Sequence, residues 1–398
     1  MIYLDVTSSC KTVLNTGVKR MQRGLHAWLG QGSDYRPVCW QSVRRNYRSL
    51  TKEDLAILEQ VGDRKARGWE SIDAYGGPSL TDIWHLNRDR QLAMDFPREL
   101  RSGDILLVPD MLWDSRGTFF SGLEACPAQM VGVFHDAIPL KRSTKSAIDS
   151  FLCRRGIRFL SHFDLVVCVS REAEEDLHFY WKQMGIKPTR THAALWPVPF
   201  GGRQPEHRPA FPAKSLLTVA RLQAYKNQLA LLDACERLWN QGLDFRLRLI
   251  GCNSYPGYVW KVRRKIASLR AAGRDVQLRS QVTERELHEA YASCSFTVFP
   301  SLHEGFGLPV VESLWHGRPV VCSDQGAIGE AARGGGCQPM NPGDTGSMVE
   351  AIGRLLTDEG HYLKLYREIQ ARTFRHWPDY WQDVSSAIRE LPSKGRGM

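Results

Sequence analysis

The chain has 398 residues, of which 42% are hydrophobic and 24% are charged, and this composition is typical of a globular protein of two or three domains. It excludes disordered, collagen-like and coiled-coil proteins, and no apolar run approaches the roughly 18 residues that a membrane-spanning helix needs. The net charge of +10 is spread over both halves and is accompanied by no nucleic-acid-binding signature, so we expect no nucleic-acid partner.

The first residues and the cysteines indicate a cytoplasmic protein. Residues 1–6 contain no basic leader, and Asp5 interrupts their apolar run, so we expect no secretory signal. The ten cysteines are scattered and form no Cys-x-x-Cys pair. A chain of this length does not need disulfide bonds to hold its core, so we expect reduced, buried thiols.

The first half alternates short β-branched runs with amphipathic stretches, which predicts parallel α/β architecture. Residues 38–74 are polar, basic and poorly patterned, and we expect them at the surface. The predicted strands are 2–6, 105–108, 130–134 and 165–169, and the predicted helices are 17–29, 143–160 and a segment that starts near Ser170.

A second βα series follows a segment rich in proline and glycine, residues 196–212, which we interpret as an interdomain linker. Two parallel α/β domains joined in this way leave a cleft at the carboxyl ends of their strands, where ligands bind. The predicted strands are 215–219, 245–250, 296–299 and 319–322, and the predicted helices are 228–239, 284–293, 346–356, 362–372 and 378–391.

The strongest functional signal is the run EGFGLPVVE at residues 304–312, directly after a predicted strand. Gly305 and Gly307 have no Cβ, so another group can approach their backbone closely. Pro309 suits the first position of a helix. Exposed amides at the positive end of a helix form an anion site that a diphosphate fits.

Two carboxylates flank these glycines. Glu304 precedes them and would face the cleft, and Glu312 would lie in the first helical turn, where it could accept hydrogen bonds from ribose hydroxyls. The alternative is a glycine turn whose carboxylates only favour the helix dipole.

A second signal is the run TVARLQAYKN at residues 218–227, in the loop after the first strand of the second domain. Arg221 and Lys226 lie five residues apart, and a guanidinium and an ammonium can grip one diphosphate together. They would also stabilise its charge as it leaves. The alternative is a solvated surface loop.

Together these two runs resemble the retaining, nucleotide-sugar-dependent glycosyltransferases of family four, of the bacterial polysaccharide type. The resemblance extends through most of residues 215–356. It implies the GT-B fold, an α/β fold in which the parallel sheets of two Rossmann-like domains face each other across a cleft. Residues 1–200 would bind the acceptor, residues 201–376 the nucleotide sugar, and residues 377–398 would form a helix packed back on the first domain.

The resemblance also implies the site residues. His135, in the run HDAIP, matches the family's histidine loop, which faces the donor sugar, and Gly17 matches its glycine loop near the donor phosphates. Val282 lies where the family binds the base. The implied catalytic residues are His135, Arg221, Lys226 and Glu304, and the implied donor-binding residues are Gly17, Val282, Gly305, Phe306, Gly307, Leu308 and Glu312.

The implied reaction moves a hexose or deoxyhexose, with mannose-type donors favoured, from a nucleoside diphosphate to a hydroxyl of a glycan or lipid-linked glycan with retention of configuration. Front-face attack and a covalent carboxylate intermediate both stay open. No Asp-x-Asp run is present, and Asp89 and Asp110 are isolated in sequence. Because Arg221 and Lys226 can neutralise the diphosphate, we expect neither a metal ion nor a cofactor.

Other functions stay open on the same architecture: a nucleotide-sugar epimerase, a sugar phosphorylase, or a non-catalytic sugar-nucleotide binder. The basic stretch 141–158 has two interpretations as well. It is either a solvated helix face or a peripheral contact with the inner face of an anionic membrane.

Overall fold

The chain forms two compact units in the computed structural model. The first comprises Met1–Pro197 and His376–Met398, and the second comprises Val198–Arg375. The sequence-based limits were residues 200 and 376. The structure describes residues 1–10, 16–42, 44–59, 94, 96, 98–110, 112, 114–122, 126–141, 147–200, 204, 208–252, 255–280, 282–392 and 394.

The first unit is built on a twisted sheet with the strand order β3-β2-β1-β4-β5-β6-β7 among the described residues. The strands are β1 (Ile2–Asp5), β2 (Tyr35–Gln41), β3 (Asn46–Arg48), β4 (Ile105–Val108), β5 (Gln129–Phe134), β6 (Leu165–Cys168) and β7 (Arg190–Ala193). The helices are α1 (Thr7–Cys10), α2 (Gly17–Leu29), α3 (Lys52–Glu59), α4 (Arg116–Ser121), α5 (Ile138–Lys141), α6 (Ala147–Leu160) and α7 (Arg171–Gln183). All neighbours pair in parallel except β2 and β3, which are antiparallel, so the prediction of a wholly parallel sheet is corrected at this edge.

The expectation that residues 38–74 lie at the surface is wrong for their first part. Trp40 and Tyr47 are each 1% exposed. Each aromatic residue has a polar atom that forms a hydrogen bond: the Trp40 indole N–H donates to Ser115 Oγ at 3.1 Å, and the Tyr47 hydroxyl donates to Asp5 Oδ2 at 2.7 Å. These partners lie far away in sequence, so the local pattern does not reveal them. Residues 60–74 lie outside the described part of the chain.

The second unit is built on a parallel sheet with the order β10-β9-β8-β11-β12-β13 among the described residues. The strands are β8 (Ser215–Val219), β9 (Arg246–Ile250), β10 (Val276–Arg279), β11 (Phe296–Phe299), β12 (Val320–Cys322) and β13 (Cys337–Pro339). The helices are α8 (Gln228–Asn240), α9 (Pro256–Ala271), α10 (Glu284–Ser293), α11 (Leu308–Trp315), α12 (Gly326–Ala332), α13 (Thr345–Thr357) and α14 (Glu359–Gln370). Aliphatic strand residues and the buried sides of α8, α9, α13 and α14 form its core.

The last helix, α15 (Trp377–Arg389), belongs to the first unit. Its Trp381 ring lies 5.8 Å from the Trp28 ring of α2, and its Asp383 accepts a hydrogen bond from His192 of β7 at 2.7 Å. Helix α15 therefore packs on the first unit, although the whole second unit, Val198–Arg375, precedes it in sequence.

Candidate functional site

The two sequence motifs of the second unit meet at the carboxyl edge of its sheet. Strands β8 and β11 are neighbours, with Phe296 opposite Leu216, so the loops that follow them leave the sheet side by side. The loops are also joined directly, because the Tyr225 carbonyl accepts hydrogen bonds from Leu302 N at 2.8 Å and Ser301 Oγ at 3.3 Å. The two motifs therefore lie close together, as predicted, because strands β8 and β11 are neighbours in the sheet.

Arg221 lies in a loop that continues the pairing of strand β8 beyond its end. Ala220 N donates to Ile250 O at 2.9 Å, and Leu222 N donates to Cys252 O at 3.0 Å. This approach requires glycine at position 251, because a Cβ there would lie 1.8 Å from the Ala220 carbonyl oxygen. The Gln228 amide also donates to the Arg221 carbonyl at 2.8 Å. The backbone of Arg221 is therefore held from two sides.

Lys226 ends a short 3₁₀ turn, Ala224–Lys226, and its ammonium is turned toward the glycine loop. Asn227 follows in the left-handed conformation with φ of 59°, which asparagine tolerates better than most residues, and its side chain donates to Pro342 O at 2.7 Å. Lys226 Nζ pairs with Glu304 Oε1 at 2.5 Å, and the two side chains are only 13% and 10% exposed. A partly buried charge pair is stronger than one at the surface and holds both groups in place.

The Lys226 ammonium also lies over two aromatic rings. It is 4.9 Å from the centroid of Tyr225 and 5.6 Å from that of Phe299. The negative faces of these rings favour the charged ammonium. The structure thus places one cation where Glu304 and two aromatic rings stabilise it before any ligand binds.

The glycine loop leads into helix α11 as the sequence suggests. Gly307 has φ of 101° and is the residue before the helix, a backbone conformation that side chains rarely adopt. Phe306 and Leu308 are buried on either side of it and anchor the loop. The helix begins at Leu308, so Pro309 occupies its second position rather than its first. The shift is small because neither of the first two amides has a partner inside a helix.

Glu312 lies deeper than the sequence suggests. It is the fifth residue of α11 and therefore beyond the first turn, and it is 2% exposed. Its Oε2 accepts a hydrogen bond from the Tyr291 hydroxyl at 2.7 Å. The Tyr291 ring in turn stacks on His316. The expected contact of Glu312 with a ribose stays a prediction.

Val282 follows strand β10 and packs against a small apolar cluster that includes Leu217, Ile250 and Leu287. Its side chain is half-buried there, and the expected contact of its main chain with a base stays a prediction. The neighbouring Gln281 lies outside the described residues.

In the first unit, His135 and the start of α2 are linked through one carbonyl. His135 is buried at the end of β5 and its Nε2–H donates to the Pro109 carbonyl at 2.8 Å. Gln22 of α2 donates to the same oxygen at 3.2 Å. Because a carbonyl can only accept, Nε2 carries the proton and Nδ1 of a neutral imidazole has a free lone pair. Within the described part of the chain Nδ1 has no hydrogen-bond partner.

Gly17 is exposed at the first position of α2, and Asn15 before it lies outside the described residues. Gln22, one and a half turns further along, accepts hydrogen bonds from the Ser8 and Ser9 hydroxyls. Sequence reasoning missed Gln22, because a glutamine inside an amphipathic helix gives no signal of the carbonyl it will meet.

Asp110, which is isolated in the sequence, is not isolated in the structure. The Arg116 guanidinium is 2% exposed and binds Asp110, Asp5 and Asp114 at 2.7 to 2.9 Å. Burial disfavours this charge, but the three carboxylates outweigh burial and raise the pKa of Arg116 well above its ordinary value. Asp89 lies outside the described residues.

Burial lowers the pKa of His135 below its ordinary value of 6.5, against smaller opposing effects of the Pro109 carbonyl and Asp110. At a pH between the lowered pKa of His135 in the folded chain and its ordinary value, the unfolded chain binds a proton that the folded chain does not. We therefore expect the free energy of unfolding to fall as the pH decreases below about 6.5. The stability that the neutral His135 contributes is fully present above about pH 6.5. Urea unfolding of H135L between about pH 5 and 8 should show a smaller pH slope than the parent chain.

Part of the slope will persist in that variant, because burial also lowers the pKa of His26. The matched control is H162L, at an exposed histidine of the same unit, which should keep the full slope. An unchanged slope in H135L would contradict the assignment of His135 as a buried neutral imidazole.

No group of three or more His, Cys, Asp or Glu side chains that could hold a metal ion occurs among the residues for which the structure gives positions. Within the same part of the chain, no helix is both long and apolar enough to cross a bilayer.

The second unit is similar to known glycosyltransferases. Residues 213–358 match the family model of the glycosyl transferases group 1. The serotype-specific mannosyltransferase WbdA of Escherichia coli is 26% identical over 336 residues, which are 81% of this chain and 40% of that protein. The MMP alpha-(1->4)-mannosyltransferase of Mycolicibacterium hassiacum is 36% identical over 113 residues, 28% of this chain and 27% of that protein. The chain thus spans less than half the length of these relatives.

Solved structures match the whole chain. The Anabaena protein HepE, in complex with UDP and glucose, superposes with a TM-score of 0.64 at 14% identity, covering 98% of this chain and 99% of that one. The sucrose-phosphate synthase of Thermosynechococcus elongatus gives a TM-score of 0.65 at 15% identity and covers 98% of both chains. At this identity the likeness shows the fold alone, and it confirms the predicted GT-B architecture.

Proposed function

We propose that the chain transfers a hexose or deoxyhexose from a nucleoside diphosphate to an acceptor hydroxyl, with retention of configuration. The match of residues 213–358 to the group 1 glycosyl transferases and the GT-B fold support this proposal. The observation that carries this proposal is the pairing of Lys226 with Glu304, directly before the glycine-capped start of helix α11. Surface polysaccharide or glycolipid synthesis is the context that we favour.

The second unit supplies what a departing diphosphate needs. The start of α11 carries the positive end of the helix dipole, although Pro309 has no amide N–H and the Val310 amide donates to the Gly307 carbonyl at 2.9 Å. Lys226 is held between Glu304 and two aromatic rings, and Arg221 lies in the adjoining loop. A diphosphate bound here would draw the Lys226 ammonium toward its own charge. Once it is bound to the diphosphate, the ammonium is in place to stabilise the charge that develops on the leaving group.

Once Lys226 turns to the diphosphate, the Glu304 carboxylate is released to accept hydrogen bonds from sugar hydroxyls. We do not assign it as one of a close pair of catalytic carboxylates, as in retaining glycoside hydrolases. The other carboxylate of the motif, Glu312, is buried and bonded to Tyr291. This favours front-face attack, in which the departing phosphate oxygen accepts the proton of the acceptor hydroxyl.

In the first unit, His135 offers a buried nitrogen lone pair to a substrate hydroxyl, and Gly17 leaves the start of α2 open to a phosphate. The acceptor would be a glycan or a lipid-linked glycan. Mannose is the favoured donor sugar, because WbdA and the Mycolicibacterium hassiacum relative are both named as mannosyltransferases. Other relatives are named glycogen synthase and D-inositol 3-phosphate glycosyltransferase, so a wider set of donors enters the test.

A panel of GDP-, UDP-, dTDP- and ADP-sugars tests this function. The true donor should raise the melting temperature in proportion to ln(1 + [L]/Kd), and incubation with glycan acceptors should yield a new glycoside. An epimerised nucleotide sugar would establish an epimerase instead, and a sugar phosphate formed from inorganic phosphate would establish a phosphorylase. Donor binding without turnover of any acceptor would favour a non-catalytic binder.

Transfer is expected to proceed without a divalent metal or a cofactor. The fixed positive groups around the glycine loop neutralise the diphosphate, which is the work that a metal ion would otherwise do. The initial rate in the presence of excess EDTA should equal the rate in its absence. The opposite result, loss of turnover that Mg²⁺ or Mn²⁺ restores, would show that these side chains do not suffice.

A further inference from the structure

The solvent side of helix α6 carries two large apolar residues. Ile148 and Phe151 are 68% and 64% exposed, the highest values for large hydrophobic residues in the part of the chain that the structure describes. They lie three residues apart, so they project from the same side of the helix, in its first turns. A single exposed apolar residue needs no explanation, but adjacent ones on one face often mark an interaction surface.

The same side of the helix continues as a basic surface. The buried side of α6 is formed by Cys153, Gly156, Ile157 and Leu160. Opposite to it, Arg154 and Arg158 follow Phe151 at helical spacing, are exposed, and form no salt bridge with any described residue. We call Ile148, Phe151, Arg154 and Arg158 the α6 face.

The α6 face lies toward the edge of the sheet that carries His135. Helices α5 and α6 both lie in the connection between the parallel strands β5 and β6, and α5 follows the carboxyl end of β5. The first turn of α6 is also bonded to the histidine loop, because Ser150 Oγ donates to the Pro139 carbonyl at 3.2 Å. Ile148 and Phe151 are thus held next to the loop that we propose contacts substrate.

We propose that the α6 face docks on an anionic membrane surface, with Ile148 and Phe151 inserted among the lipids and Arg154 and Arg158 bound to their phosphates. Apolar residues that enter the interface and cations that meet anionic head groups act together in such binding. A nucleic acid would use the arginines but would gain little from the two apolar side chains. Docking would bring the His135 edge of the first unit to a lipid-linked acceptor, and only this last step rests on the proposed function.

Flotation of the full chain with phosphatidylcholine vesicles, with and without phosphatidylglycerol, tests the docking. The parent chain should float with the anionic vesicles and remain at the bottom with the neutral ones. The double variant I148S/F151S should lose about tenfold or more in partition coefficient, because each side chain leaves the interface. Because both side chains are exposed in the folded chain, the variant should have the melting temperature of the parent chain. This measurement shows that a loss of binding is not caused by misfolding.

Helix α9 supplies a matched control. Its Trp260 is 58% exposed and lies close in sequence to Arg263 and Arg264. The second unit therefore also combines an exposed apolar side chain with two exposed arginines. W260S should bind anionic vesicles like the parent chain. If W260S loses binding while I148S/F151S keeps it, the α6 face is not the docking surface.

The arginines are tested separately with R154Q/R158Q, with R263Q/R264Q as its control. The first pair should bind anionic vesicles about 25-fold more weakly and lose part of the salt dependence, since about fivefold is expected for each of the two charges near the surface. Equal binding of the parent chain to neutral and anionic vesicles would overturn the role of charge.

Flotation also distinguishes the docking proposal from the proposed function. A chain that transfers sugar to a water-soluble acceptor but never floats refutes docking alone. A chain that floats but never transfers sugar refutes the proposed function alone.

Discussion

Replacement of Lys226 by methionine is expected to lower kcat/KM by about 10²- to 10³-fold, the range found when one preorganised charge-stabilising donor is removed from an active site. The ammonium pairs with Glu304 Oε1 at 2.5 Å, and in the proposed reaction it turns to the diphosphate when the donor binds. The loss should fall mainly on kcat, because the charge on the leaving group is largest in the transition state. Steady-state kinetics with the donor identified by the thermal-shift panel provide the measurement.

The control for this variant is K265M. Lys265 of α9 also pairs with two carboxylates, those of Asp233 and Glu236 at 2.8 and 2.7 Å, but it belongs to no loop of the candidate site. K265M should retain parent kcat/KM. Should K226M also retain it, or should both variants lose activity equally, the assignment of Lys226 to the diphosphate would have to be abandoned.

The two loops of the second unit could be predicted from sequence because each motif directly follows a strand with a strong apolar pattern. Strands β8 and β11 were predicted with the bounds that the structure has, and their adjacency brings Lys226 to Glu304. The details that hold the loops could not be predicted. The Tyr225 carbonyl that joins them and the left-handed Asn227 depend on contacts with residues tens of positions away.

Four of the strands that the sequence did not reveal, β3, β7, β10 and β13, are short. Strands β7, β10 and β13 contain only three or four residues each, too few to show an apolar pattern. They are strands because they form hydrogen bonds with a neighbouring strand of the sheet. Helix α9 is different, because Val259, Val262, Ile266 and Leu269 recur at intervals of three and four residues and indicate a buried helix side. The many arginines and lysines between them obscured a pattern that was available.

The first unit was harder to interpret because its functional edge depends on buried polar groups. His135 was predicted as a site residue from its loop, but the Pro109 carbonyl that sets its tautomer and the Gln22 amide that shares this carbonyl come from two other elements. The same holds for Arg116, whose three carboxylate partners are spread over more than a hundred residues. Such networks form only after the sheet has brought its strand ends together.

Gly251 gives the second large expected effect, through the backbone that carries Arg221. In G251A the new Cβ would lie 1.8 Å from the Ala220 carbonyl oxygen, a distance at which the chain must move. Both segments are backbone and are paired by hydrogen bonds, so no flexible side chain can absorb the shift. We expect a free energy of unfolding lower by about 1–3 kcal/mol, as for overpacked cores, and a correspondingly lower melting temperature.

Activity should fall further than stability alone explains, because a displacement of about 1 Å at a substrate-positioning segment can cost about 10²-fold in rate. G257A is the matched control: Gly257 lies in the first turn of α9, and a Cβ there meets nothing within 4 Å. That variant should be as stable as the parent chain or slightly more stable, since alanine favours a helix over glycine by about 1 kcal/mol. A G251A chain with parent melting temperature and parent kcat/KM would show that the close approach of strand β9 to Ala220 does not hold the Arg221 loop in position.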